Sequence, residues 1–509
     1  MNSLLHEKLH THFGYSSFRP GQQEVIERVL KGENTLAILA TGGGKSVTYQ
    51  LPALLLPGIT VVVSPLISLM IDQVQQLRTR RKMAAVYLNS AQDYAESKEI
   101  LRELAAGAYK LLYVSPEKLQ QPYVQAVLRR VGVSLVAIDE AHCISQWGHD
   151  FRTDYLRLPD AIRQIGNPPV LAVTATATAD VRREISELLD IPWEGVIAQP
   201  LNRENIALDL VVVQDEEKRR GQVMRLMDEL QGPGIVYCST RNAVEVLTAA
   251  YELEGTKRVH GYHGGMESME RMLIQSQFLS GELDVIVATN AFGMGIDKPD
   301  IRYVIHYQLP ASMEAYAQEI GRVGRDGQPG YAVLFCSEDD GHIHQHMVEK
   351  EYPTQLQVMQ FYNWYANGRQ MNSEALTALD MSEDMVQLLT FYIEQTGVGQ
   401  AAAASGDPQE HVHRIWLETE KRKRLKMRKL CEMIAYAEPG GDCLRQKLNR
   451  YFGQDGSGFS LHCCSRCGLD RGAYRAGRSV PVVKKVENGW SLQQALQVLL
   501  PKNKGGTYP

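Results

Sequence analysis

The chain has 509 residues, 44% hydrophobic and 22% charged, with a formal net charge of −5. That length allows roughly three domains of ~100–200 residues each, and the mild acidity neither requires nor excludes nucleic acid, since binding depends on local patches. No apolar run approaches the ~18–20 residues of a membrane span and the polar start MNSLLHEKLHTHFGY is no secretory signal, so a cytoplasmic protein with no membrane partner is expected.

Between residues 34 and 200 short apolar runs alternate with helical stretches: TLAILA, TVVVSP, KLLYVSP, SLVAIDE and PVLAVTATAT. Runs of β-branched and apolar residues without in/out alternation predict a parallel sheet buried on both faces. A second series (GIVYCST, RVHGYHGGM, DVIVATN, RYVIHYQLP, GYAVLFCS) predicts a second α/β domain, with a boundary near residues 200–210. Beyond about residue 340 the pattern turns helical: helices are expected over 354–397, a small-residue linker at GQAAAASGDPQ (399–409), and a basic helix from His413 to Ala437 carrying EKRKRLKMRK.

The first run leads into TGGGKS, residues 41–46. Glycines before a lysine and a serine, between a buried strand and a helix, let backbone N–H groups and the helix N-terminus face an anion, while lysine reaches outer phosphates. Leu39 stands where the strict G-x-x-x-x-G-K-[ST] pattern has its first glycine. SLVAIDEAH ends a buried strand in two carboxylates, suited to hold Mg²⁺ (Asp139) and to position an attacking water (Glu140). In QEIGRVGRDG, Arg322 and Arg325 lie in a glycine-framed turn of the second domain, the right place for an arginine finger.

The ordered set FGYSSFRPGQ, TGGGKS, VVVSPLISLMIDQV, DEAHCISQWGHDFR, VTATAT, YHGGM, ATNAFGMGIDKPDIRYVIH and QEIGRVGRDG, over roughly residues 10–340, resembles the RecQ family of superfamily 2 DNA helicases. The resemblance implies an α/β fold of two tandem RecA-like parallel-sheet domains (1–205 and 206–342), then a mostly helical C-terminal region. That region would comprise a zinc-binding helical hairpin at 413–470 and a tail at 471–509; the residues between, 343–412, depart from a simple connection and read as a helical insertion of three helices and a short strand, helix-turn-helix or winged-helix in character, that either binds duplex DNA or braces the domains. It implies ATP and Mg²⁺ as cofactors. Tyr15 would stack on adenine, with Arg19 and Gln22 reading the base. Thr41, Gly42, Gly43, Gly44, Lys45 and Ser46 would cradle the phosphates, and Ser46 and Asp139 would hold the metal. Glu140 would act on the water, and Arg325 would serve as the finger with Arg322 nearby. Where the family has alanine between these arginines, this chain has Val323, and its extra bulk is expected to cause strain at most.

SQWGHDFR follows the acidic pair, and Trp147, His149, Phe151 and Arg152 are candidates to couple single-strand contact to ATP turnover, since bases stack on aromatics regardless of sequence. Thr174 and Thr176 are suited to link cleft and strand by hydrogen bonds. The eight cysteines fit a reducing compartment as thiols or ligands, and five crowd the C-terminal end. CLRQKLNRYFG followed by CCSRC resembles the family's zinc module, with Cys443, Cys464 and Cys467 as ligands to a structural Zn²⁺. The family places the fourth cysteine where this chain has Leu461, so Cys463 is taken as the fourth ligand, with His462 or Cys431 as alternatives.

The resemblance implies a 3′–5′ ATP-dependent DNA helicase of recombination or repair. Its expected partners are single-stranded and tailed or forked DNA, with single-strand binding protein or other repair proteins, and a monomeric state. The 42 residues after Cys467 are too few for the further domains of longer members, which puts efficient duplex separation in question. The basic helix is a candidate phosphate contact. The rivals are an RNA helicase and an ATP-gated strand clamp or annealer.

Overall fold

The computed structural model describes residues 2–145, 152–200, 202–293, 296, 298–367, 376–377, 379–395, 407–454 and 463–475. Seven strands form the first sheet: β1 (Thr35–Ile38), β2 (Ile59–Val63), β3 (Ala85–Leu88), β4 (Leu111–Val114), β5 (Val133–Ile138), β6 (Val170–Thr174) and β7 (Val196–Ala198). Their order is β3-β4-β2-β5-β6-β1-β7, and every pairing is parallel. Six form the second: β8 (Ile206–Val212), β9 (Gly234–Tyr237), β10 (Val259–Tyr262), β11 (Val285–Ala288), β12 (Tyr303–His306) and β13 (Gly330–Cys336). Their order is β10-β11-β9-β12-β13-β8, again parallel throughout.

The central strands β1, β2, β5 and β6 are apolar and almost wholly buried, as helices on both faces of a parallel sheet require. Three strands were not expected from the sequence. β3 and β7 are short edges of the first sheet. β8 is an edge of the second whose apolar run is interrupted by Asp209, a carboxylate buried against the guanidinium of Arg471 (2.6 and 2.7 Å) and the hydroxyl of Tyr331 (2.5 Å). The chain crosses from one sheet to the other between Ala198 and Ile206.

After β13 the named elements among the described residues are helices, with two isolated β-bridges at Cys464 and Arg475. Helices Asp340–Glu351, Gln355–Ala366 and Glu383–Gln395 pack on a helix of 30 residues, Pro408–Ala437, around a core that includes Phe361, Leu389, Ile393 and Ile415. The short strand expected in 343–412 is not found among the described residues, because the apolar positions there follow helical spacing. The long helix also starts before His413: Asp407 accepts from the Gln409 N–H and Pro408 takes the first helical position, where its missing donor costs nothing. No described helix is long and apolar enough to cross a membrane.

Candidate active site and metal centre

The C-terminal ends of β1 and β5 open into a cleft of about 390 Å³ closed on its far side by the second sheet's domain. Ligands in open parallel sheets bind at such strand ends. At the end of β1 the backbone turns through Gly42 (φ 80°) and Gly44 (φ 73°) into helix Val47–Leu55. Both glycines lie in the left-handed region that side chains resist. A Cβ on Gly42 would also stand 2.9 Å from Cγ of Arg325, so the second domain's arginine rests directly on the loop.

Lys45 projects from this turn to Glu140, with Nζ 3.4 Å from Oε1. Asp139 and Glu140 end β5, and the Asp139 carboxylate accepts from the Glu140 N–H at 3.0 Å. Burial first, then the charge of Glu140, push Asp139 up to about 6, and Lys45 opposes that shift. A buried carboxylate in this state gains from a nearby cation, which fits a site for a divalent metal beside Ser46. Glu140 adopts φ 48°, a left-handed backbone for a non-glycine residue, as the chain turns into Ala141–Ile144. Strain of this kind costs on the order of 1–3 kcal/mol and tends to cluster at functional sites.

Arg322 and Arg325 follow helix Met313–Ile320 and line the cleft with Gln318. Arg322 is buried and donates to the Gly293 carbonyl, and Arg325 donates to the Ile296 carbonyl at 2.6 Å. The cleft thus sets Lys45, Arg19, Arg322 and Arg325 around two carboxylates, a charge pattern suited to a polyphosphate carrying a divalent cation. Tyr15 stands on the rim, 45% exposed, with Arg19, Leu69 and Gln73. Gln22 faces the loop itself: its amide donates to the carbonyls of Gly43 (3.0 Å) and Gly44 (2.9 Å) and accepts from the Arg19 N–H at 2.8 Å.

Several contributors were not singled out from the sequence. His142 Nδ1 lies 3.1 Å from the Thr174 hydroxyl and 3.4 Å from Glu140, and Thr174 donates to the Thr176 carbonyl at 3.1 Å, so a polar chain leads from β6 to the acidic pair. Its only sequence signal is its place directly after Asp139, Glu140 and Ala141. Arg203, in the interdomain linker, donates to the carbonyls of Thr41 (2.9 Å) and Val323 (3.1 Å) and so joins the loop of one domain to the arginine turn of the other.

Trp147, His149 and Phe151 lie outside the described residues. Arg152 is described and donates to the Pro65 carbonyl at 2.9 Å. The basic helix turns much of its charge inward. Lys429 is buried in an ion pair with Glu314 (2.5 Å), Lys426 pairs with Glu351, and Arg422 is buried. Arg424 and Arg428 are the exposed cations of that stretch besides Lys421, which pairs with Glu418 at 2.6 Å.

The sulfurs of Cys443, Cys463, Cys464 and Cys467 lie within 4.8 Å of one another, with Cys443–Cys463 at 3.4 Å, Cys464–Cys467 at 3.5 Å and Cys443–Cys464 at 3.7 Å. Four thiolates at Zn–S ≈ 2.3 Å in a tetrahedron stand about 3.8 Å apart, so the set fits zinc. Cys431 is exposed on the long helix and does not belong to this cluster, and His462 lies outside the described residues.

Comparison with known proteins agrees with this geometry. Three family models match in order: DEAD/DEAH box helicase over residues 19–185, helicase conserved C-terminal domain over 219–327, and RecQ zinc-binding over 383–470. The chain is 41% identical over 478 residues to the probable ATP-dependent DNA helicase RecS of Bacillus subtilis, covering 92% of this chain and 93% of that one. The chain belongs to the RecQ family of DNA helicases. Against the RecQ of Pasteurella multocida it is 44% identical over 352 residues, but spans only 55% of that relative's length. Two solved structures share the fold at low identity. The Mycobacterium smegmatis helicase Lhr bound to ssDNA and AMP-PNP matches with TM-score 0.56 at 19% identity, covering 77% of this chain and 57% of Lhr. The DEAD-box helicase Mss116 bound to ssRNA and UDP-BeF matches with TM-score 0.56 at 17% identity, covering 87% and 88%. This RecQ-family chain therefore combines two RecA-like parallel-sheet domains with a helical region ending in a four-cysteine cluster.

Proposed function

We propose that this chain is an ATP-dependent DNA helicase that moves 3′ to 5′ along single-stranded DNA and separates duplexes in recombination or repair. One observation carries the catalytic part: Lys45, Asp139 and Glu140 from the first sheet meet Arg325 of the second domain, which packs on Gly42. In this reading Tyr15 stacks on adenine beside Arg19, and the backbone of Thr41–Ser46 with Lys45 holds the phosphates. Gln22, which lines the cleft beside Arg19 and donates to the loop carbonyls of Gly43 and Gly44, reads the base with Arg19. Asp139 and Ser46 hold Mg²⁺, which when bound neutralises charge on the β and γ phosphates. Glu140 orients the attacking water, and Arg325, with Arg322, takes up charge developing on the transferred group, a contribution of ~10³–10⁵ in rate for such fingers. Because the finger belongs to the other domain, ATP favours the closed cleft and hydrolysis releases it. Trp147, His149, Phe151 and Arg152, which follow the acidic pair in the sequence, are assigned to contact single-stranded DNA. Cys443, Cys463, Cys464 and Cys467 hold a structural Zn²⁺, and the chain works as a monomer in the cytoplasm.

The test is strand displacement on duplexes with a 3′ or a 5′ single-stranded tail, of DNA and of RNA, with ATP and Mg²⁺. Displacement only of 3′-tailed DNA, lost in Lys45→Ala, is expected. Equal action on RNA would overturn the substrate assignment, and DNA-stimulated ATP hydrolysis without displacement would reduce the activity to translocation.

A further inference from the structure

The cysteine module is joined to the cleft by a relay of two arginines. Arg445 is buried at the start of helix Leu444–Tyr451, directly after the Cys443 cap. Its guanidinium donates to the side-chain oxygen of Asn202 (2.7 Å), the carbonyl of Arg203 (2.9 Å) and the carbonyl of Ile206. These three acceptors are the linker between the sheets. Arg203 in turn donates to Thr41 on the phosphate loop, and to Val323 and Gly324 in the turn that carries Arg322 and Arg325. Asn205 adds donations to Gly324 (2.9 Å) and Gln328 (2.8 Å) on the same turn. The far end of the module helix touches the first domain, where Arg182 donates to the Phe452 carbonyl at 3.2 Å.

Neither arginine meets a carboxylate at these positions: every acceptor named is a carbonyl or an amide oxygen. Arginine is suited to this task, because its planar fork can fix several carbonyls at once and stays charged when buried. A linker without such a clamp would leave the two domains free to separate, since contacts between domains of one chain allow motion unless large and apolar.

We propose that Arg445 is a positioning residue for ATP hydrolysis: from the cysteine module it fixes the linker so that Arg203 holds the arginine turn against the phosphate loop. The inference rests on the reading of the cleft as an ATPase and adds to it a dependence on the module that binds no nucleotide. Tyr15, Arg19 and Lys45 all lie in the first domain, so ATP capture depends on the clamp only through closure, whereas turnover needs Arg325 in place across the cleft.

The test uses the full chain with Arg445→Gln, Arg203→Gln and the double variant, measured for zinc content, ATP KM and DNA-stimulated kcat. Arg445→Gln is expected to keep its zinc and to raise KM no more than a few-fold while kcat falls about 10- to 100-fold, the scale of a small misplacement of a catalytic group. The double variant should be no slower than the slower single, because both act through one relay. An unchanged kcat, multiplicative losses in the double variant, or loss of zinc together with activity would each overturn the proposal. Small-angle scattering without nucleotide reads the same relay if the wild type proves not to hydrolyse ATP. There Arg445→Gln should widen the distribution of interatomic distances relative to wild type, and an identical curve would overturn the clamp independently of the ATPase reading.

Discussion

Val323 stands between two glycines of the arginine turn and is fully buried. The family resemblance allows strain at most from its bulk, and the structure places its Cγ1 directly over Gly330, where a Cβ would overlap it. The extra methyls fill space that a glycine at the start of β13 leaves open. Gly330→Ala should therefore overpack the site and destabilise the protein by about 1–3 kcal/mol in chemical denaturation. Val323→Ala should destabilise alone by leaving a cavity. Val323→Ala removes two methyls and Gly330→Ala returns one in the place of Cγ1, so the double variant should recover part of the Val323→Ala loss. Additive losses in the double-mutant cycle would show that the two side chains do not share the space. The same logic explains what was legible among the site residues. Lys45, Asp139 and Glu140 announce themselves because phosphate chemistry calls for those residue types within a few positions of a strand end, and Arg325 by its place in a glycine-framed turn of the second domain. Arg203 and Arg445 do not, because their partners are backbone carbonyls and asparagine amide oxygens, with no carboxylate of complementary charge to mark them in the sequence.

Among the elements, the central strands were readable and the edges were not. A strand buried on both faces must be continuously apolar, so β1, β2, β5 and β6 stand out, whereas β8 carries Asp209 and takes its neutralising partner, Arg471, from beyond the cysteine cluster. That edge is covered by the cluster itself. The Leu208 N–H donates to the Cys463 carbonyl at 3.2 Å, Leu208 bridges Cys464, and the Leu210 N–H donates to the Ser465 hydroxyl at 3.2 Å. Covering an edge in this way removes a row of unpaired backbone groups that would otherwise recruit other strands. Because ligand binding and folding are one process in small zinc modules, removing the metal should uncover the edge. Treatment with a strong zinc chelator is expected to release one zinc per chain and to speed amide hydrogen exchange at Leu208 and Leu210. Amides of β9 and β11, in the sheet's interior, should stay protected. Slow exchange at Leu208 after complete zinc loss would show that the cluster holds its fold without metal.

At the scale of the whole molecule, the closed cleft carries a charge-dependent contact between domains. Asp72, on helix Ile67–Arg80 of the first domain, accepts from the side-chain amide of Gln275, on helix Ser268–Ser280 of the second, at 2.9 Å. Burial pushes the Asp72 carboxyl up to about 6 from 3.8, and the Gln275 hydrogen bond offsets only part of that shift. The sign follows from linkage. The folded state holds this proton more tightly than the unfolded chain does, so the carboxylate costs stability as pH rises through that window. The cost is complete above about 6 and absent below about 3.8. Asp72→Asn keeps an acceptor for Gln275 and never ionises. It should raise the thermal midpoint at pH 7.5, with the advantage shrinking as pH is lowered toward 4.5. Gln275, on the second domain's helix, is in direct contact with the carboxylate, so the shift reads in part how closely the two domains meet. A variant whose midpoint matches wild type at both pH values would mean that the carboxylate is hydrated in solution. That outcome would place the two domains farther apart in solution than the arrangement with Arg325 over Gly42.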